Sequence, residues 1–91
     1  MEKEKTIKVM NETGLHARPA SQFVKKASKY KAETTIVFEG KEVNAKSIMG
    51  LMSLGISKGS QITLKSEGED ANKAISDLAE FVEVTLLEED H

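Results

Sequence analysis

Cysteine and tryptophan are absent from the chain, and proline occurs once, as Pro19. Without cysteine there is neither a disulfide framework nor a thiolate metal site, a composition that suits a reducing compartment. Aromatic residues are few (Phe23, Tyr30, Phe38 and Phe81), so the core has to be largely aliphatic and of modest size. No apolar run approaches the roughly 18 residues of a membrane span, and the first residues contain no apolar stretch of signal-peptide length. A cytoplasmic protein without membrane insertion is expected. Charge of one sign is not concentrated anywhere: 13 basic and 15 acidic side chains are spread through the sequence for a net charge of -2, which leaves no basic footprint for nucleic acid.

What is present fits one domain. A chain of 91 residues buries only about 60 to 65% of its unfolded surface and has little material for a second core. Residues 1–91 are therefore read as a single unit, with its core at about 5–85 and a frayed, charged tail at 88–91. A large enclosed active site does not fit into so small a chain, so any chemistry has to take place at its surface.

Hydrophobic periodicity gives the order of elements. Residues 6–10 alternate, with Ile7 and Val9 on one side, as a half-buried strand does. From Ala17 to about Tyr30, Ala20, Phe23, Val24, Ala27 and Tyr30 recur at helical spacing. Residues 34–39 are rich in β-branched side chains, Gly40-Lys41 can turn the chain, and residues 42–44 return as a short partner strand. A short helix over 47–54 starts at Ser47 and stops at Gly55. A strand over 61–65 ends by Gly68, and a long helix from Ala71 has Asp70 as its expected N-cap. Strand, helix, hairpin, short helix, strand and long helix imply an α+β fold: a mostly antiparallel sheet with helices packed on one face.

One short stretch carries chemistry. His16 falls at the N-cap of the first helix, where the opening N–H groups of Ala17 and Arg18 lack intrahelical partners and the macrodipole is positive. Pro19 suits the first turn because its missing N–H costs no intrahelical bond there. Arg18 adds a permanent cation whose fork matches phosphate oxygens. A neutral imidazole at such a place is a nucleophile, and a phosphoryl group taken up by it would face the helix N-terminus and Arg18, the dipole contributing about 0.3 to 1 kcal/mol. Taken singly, such a histidine is more often a surface residue and such an arginine a solvated one. No metal is expected, because the only other histidine is terminal His91 and no ligand pair accompanies His16.

Gly14-Leu15-His16-Ala17-Arg18-Pro19-Ala20 closely resembles the active-site motif of the HPr family, the histidine-containing phosphocarriers of the phosphoenolpyruvate-dependent sugar phosphotransferase system. Residues 46–54 resemble that family's regulatory serine segment. The resemblance implies an open-faced β-sandwich of four antiparallel strands covered on one face by three helices. It also implies that His16 accepts a phosphoryl group from enzyme I on Nδ1 and donates it to sugar-specific IIA domains, with Arg18 balancing the charge and no cofactor needed. The protein would be a stoichiometric carrier rather than a free-standing enzyme, since phosphoryl transfer needs alignment and charge stabilisation that the partner can complete.

Ser47 is a good N-cap and needs no further role on that ground alone. In the Gram-positive branch that it resembles, the matching serine is phosphorylated by HPr kinase/phosphorylase, and the product serves a catabolite-control transcription factor. Ile48, Met49, Leu51, Met52 and Leu54 are too many apolar residues for one side of a two-turn helix. Ile48, Met49 and Met52 are either extra core or a docking patch whose flexible thioethers suit several partners. A monomer fits a carrier that presents one face in turn. The rival readings are a purely regulatory paralogue, as in relatives that keep the serine and lack the histidine, and a carrier serving a non-sugar phosphorelay. A hydrolase with His16 as general base lacks a placeable partner side chain.

Overall fold

The computed structural model describes residues 2–88. Four strands, β1 (Glu2–Lys8), β2 (Glu33–Phe38), β3 (Lys41–Asn44) and β4 (Gln61–Glu67), form one antiparallel sheet in the order β1-β4-β2-β3. Three helices, α1 (Ala17–Ala27), α2 (Ile48–Ser53) and α3 (Ala71–Glu80), accompany it. The last continues through a π-helical turn, Phe81–Thr85, into a final turn, Leu86–Glu88. The expected α+β arrangement is therefore present. Within the expected tail, Glu88 is helical, and residues 89–91 lie outside the described residues.

Alternation in β4 divides the sheet faces: Ile62, Leu64 and Ser66 are buried while Gln61 and Glu67 are exposed. The buried side joins Ile7 and Ile36 to Leu15, Phe23, Leu51, Ile56 and Leu78 in one core, with the rings of Phe23 and Phe81 tilted at 6.3 Å. Two polar groups inside, Thr34 and Ser66, satisfy each other across β2 and β4 at 3.0 Å.

Several boundaries differ from the periodicity. β1 begins at Glu2 rather than Thr6, because its ladder with β4 runs from Glu2↔Glu67 to Lys8↔Gln61 although only Ile7 of the strand is buried. A strand edge beyond the helical cover has no apolar pattern to read. Val9 lies past β1 but still donates to Ser60 and accepts from Gly59, while Met10 is exposed. α1 stops at Ala27, since the Ser28 hydroxyl donates to the Val24 carbonyl and Lys29 and Tyr30 turn back to Lys26 and Ala27. The hairpin turns at Glu39-Gly40, both with positive φ, and Lys41 already pairs with Phe38 in β3. β4 extends to Glu67, two residues beyond the expected end.

Asp70 stands at the expected N-cap position of α3, but its side chain makes no capping bond. Its carboxylate accepts instead from the backbone N–H groups of Lys31 (2.9 Å) and Ala32 (2.8 Å), tying the loop after α1 to the start of α3. Two adjacent loop donors outcompete a single donor in its own helix, and they hold the Asp70 carboxyl below its ordinary range.

Candidate phosphoryl-acceptor site

The segment leading to His16 is held by its backbone. Asn11 and Gly14 close a turn through Gly14 N–H to the Asn11 carbonyl at 3.2 Å. Gly14 has φ +64°, and a Cβ there would lie 2.3 Å from the Ile56 carbonyl oxygen, so both conformation and space require glycine. Leu15, fully buried, donates its N–H to the Ile56 carbonyl at 3.1 Å. An exposed ion pair between Lys58 and Glu12 (2.7 Å) joins the same two loops and contributes at most about 1 kcal/mol.

His16 follows with extended backbone (φ -122°, ψ 158°) as the N-cap of α1 and is half-buried. Its side chain makes no capping bond, and the first turn carries no acidic residue. His16 itself therefore does not claim the opening donors at Ala17 and Arg18. Ala17 and Arg18 are exposed, and Pro19 sits in the first turn. Ala17 has φ +48°, the left-handed region that an L-residue with a Cβ enters at about 1 to 2 kcal/mol. Buried Ala20, Phe23 and Val24 fix the helix behind it.

α2 packs against α1, and Ile56, which holds Leu15, lies just beyond the end of α2. Ser47 caps α2 by accepting from the Gly50 N–H at 3.1 Å, and it is half-buried. Leu51 and Leu54 face the core, whereas Ile48 (42%), Met49 (84%) and Met52 (41%) are exposed. The structure therefore places the second apolar set of α2 outside the core.

Sequence patterns did not reveal a clamp beneath Ser47. The Lys46 ammonium donates to the Tyr30 carbonyl at 2.9 Å, and the Tyr30 hydroxyl donates to Asp77 on α3. That hydrogen bond first, then burial and the negative charges of Asp77 and Asp70, push the Tyr30 phenol up to about 12. Asn11 was likewise silent in the pattern, although an asparagine in a turn ahead of glycine is a known local hydrogen-bonding signal. Among the described residues no group of three or more histidine, cysteine or acidic side chains forms a metal site, and no helix is long and apolar enough to cross a membrane.

A small antiparallel sheet under helices carries His16 at the N-terminus of α1, with Arg18 two residues on in the same first turn. Residues 3–84 match the family described as PTS HPr component phosphorylation site, and the chain belongs to the HPr family of phosphocarriers. It is 52% identical over 80 residues to the HPr-like protein Crh of Halalkalibacterium halodurans, covering 88% of this chain and 95% of that one. It is 51% identical over 73 residues to the phosphocarrier protein HPr of Buchnera aphidicola, covering 80% and 86%. The crystal structure of HPr-C-His from Thermoanaerobacter tengcongensis superposes with a TM-score of 0.90 at 49% identity, over 92% of this chain and 94% of that one. A structure described as an HPr dimer from the same organism aligns at 0.74, with 49% identity over 92% and 97%.

Proposed function

We propose that this single-domain chain is a cytoplasmic phosphocarrier of the sugar phosphotransferase system. His16 takes a phosphoryl group from phosphorylated enzyme I and passes it to sugar-specific IIA domains. The observation that carries this reading is His16 at the N-cap of α1, with no capping bond from its own side chain, no acidic residue in the first turn and Arg18 two residues on. An incoming phosphoryl group bonds to a ring nitrogen as its bond to the donor breaks. The added negative charge then meets the Ala17 and Arg18 N–H groups and the guanidinium. Ile48, Met49 and Met52 supply an apolar docking surface for successive partners, and the protein acts as a monomer.

Ser47 is the regulatory position in this reading, modified by HPr kinase/phosphorylase and read by a catabolite-control transcription factor. A phosphate there adds about 1.5 to 2 negative charges next to the exposed face of α2 and weakens docking of enzyme I. The likeness to HPr-like protein Crh supports a purely regulatory alternative, and the presence of His16 favours the carrier.

Incubation with enzyme I and radiolabelled phosphoenolpyruvate should give acid-labile label on the parent and none on His16→Ala. Equal label on that variant overturns the assignment. Ser47→Asp should accept phosphate more slowly than the parent, and an unchanged rate removes the regulatory role. Light scattering should give the mass of one chain at working concentration, and a dimer mass contradicts the monomer.

A further inference from the structure

Asn11 is 2% exposed, and its amide is spent in one direction only. Nδ2 donates to the Gly14 carbonyl at 2.9 Å and to the Thr13 hydroxyl at 3.3 Å, while buried Oδ1 has no hydrogen-bond partner among the described residues. An apolar side chain would remove the unpaired Oδ1 at the cost of leaving the Gly14 carbonyl without this donor, so stability alone gives little reason for an amide here. Its bonds do have a clear target. The peptide unit between Gly14 and Leu15 is gripped at both ends: its carbonyl accepts from Asn11, and its N–H donates to the Ile56 carbonyl at 3.1 Å.

A planar peptide fixed at both its C=O and its N–H has no freedom to rotate about the chain. His16 begins one residue later. On its other side Ala17 adopts φ +48°, a conformation that persists only where the surroundings over-determine it. The downstream anchor is α1, through buried Ala20 and Phe23, and the upstream anchor is the gripped peptide. Releasing the carbonyl end lets the Gly14–Leu15 plane swing, which relaxes the backbone at residues 16 and 17 and moves the imidazole.

We infer that Asn11 is a positioning residue for His16, holding the Gly14–Leu15 peptide so that the imidazole faces the phosphoryl donor in a fixed orientation. The inference rests on the reading that His16 is the phosphoryl acceptor. Asn11 touches neither donor nor phosphate and acts through the backbone, so its removal affects the reaction step and leaves the docking surface of α2 as it is.

The test compares the parent, Asn11→Ala and Asn11→Leu as substrates of enzyme I with phosphoenolpyruvate, beside calorimetric melting and hydrogen exchange of the Leu15 amide. Both variants lack the donor, and leucine keeps side-chain bulk in case the smaller residue fails to fold. The expected result is a kcat lowered about tenfold to a hundredfold with KM unchanged, as misplacement of a reacting group by about 1 Å produces. The endpoint should remain one phosphate per chain, the Leu15 amide should exchange faster, and melting should stay close to that of the parent. Unchanged kcat in both variants overturns the proposal. So does a fall in kcat that follows a fall in melting temperature, which marks a merely structural role. A parent that accepts no phosphate at all refutes the His16 reading itself, an outcome distinct from either of these.

Discussion

The left-handed backbone at Ala17 makes a quantitative prediction. Its methyl group is exposed, so Ala17→Gly removes no core packing. At φ +48° the Cβ costs about 1 to 2 kcal/mol, which glycine avoids. Against this stands the extra entropy that glycine loses on folding, about 0.5 to 1 kcal/mol. The balance is a gain of about 0.7 kcal/mol. In a domain of this size that raises Tm by about 3 to 6 °C. Ser21→Gly is the internal control: it is exposed in the same helix with no left-handed φ, and it should lose about 0.5 kcal/mol. Calorimetry and urea unfolding of both variants give the comparison. If Ala17→Gly is destabilised to the same degree as Ser21→Gly, the helix begins with ordinary geometry and the strained entry to α1 is wrong.

Three other perturbations follow from single contacts. Gly14→Ala should lose about 3 kcal/mol or more in urea unfolding, because its Cβ meets the Ile56 oxygen at 2.3 Å, whereas Gly59→Ala, with open space around it, should lose only about 1. Tyr30→Phe should be less stable than the parent at neutral pH. The folded phenol holds its proton more tightly than the unfolded one, so the parent's advantage is complete below about pH 10 and disappears as pH rises through about 12; a difference that persists at the alkaline end contradicts the clamp. Met49→Asp should raise the KM for enzyme I without loss of cooperative melting, since that side chain is 84% exposed, and broad melting would return it to the core.

The order of elements was legible because α1, β4 and α3 alternate buried and exposed positions with regular periods, as Phe23, Val24 and Ala27 do on one helix and Ile62 and Leu64 on one strand. His16 at a helix start was legible for the same reason: Pro19 and the periodicity from Ala20 fixed where α1 begins. The first half of β1 was not, because Glu2 to Lys5 are held by backbone pairing, which leaves no mark on side-chain polarity. Nor was the true task of Asp70. A local cap and a long-range bond to Lys31 and Ala32 use the same residue type, and only the fold decides which donors reach it first. The Glu39-Gly40 turn was misplaced by one residue because glutamate seldom takes positive φ.

The supports of His16 were the least visible. Gly14 announces a turn, but its close approach to Ile56 joins positions over 40 residues apart, and no spacing rule encodes that contact. The clamp next to Ser47 is of the same kind, since Lys46, Tyr30 and Asp77 come from three separate parts of the chain. Such residues hold the backbone around a motif without belonging to it, so the motif can be read while its geometry cannot.

The most direct test of the account is phosphorus and nitrogen NMR of the protein after reaction with enzyme I and phosphoenolpyruvate, with His16→Ala beside it. The account predicts one phosphohistidine signal per chain, coupled to a single ring nitrogen of His16 and absent from the variant. A phosphoryl signal that survives in His16→Ala, or a parent that stays unphosphorylated with competent enzyme I, contradicts it.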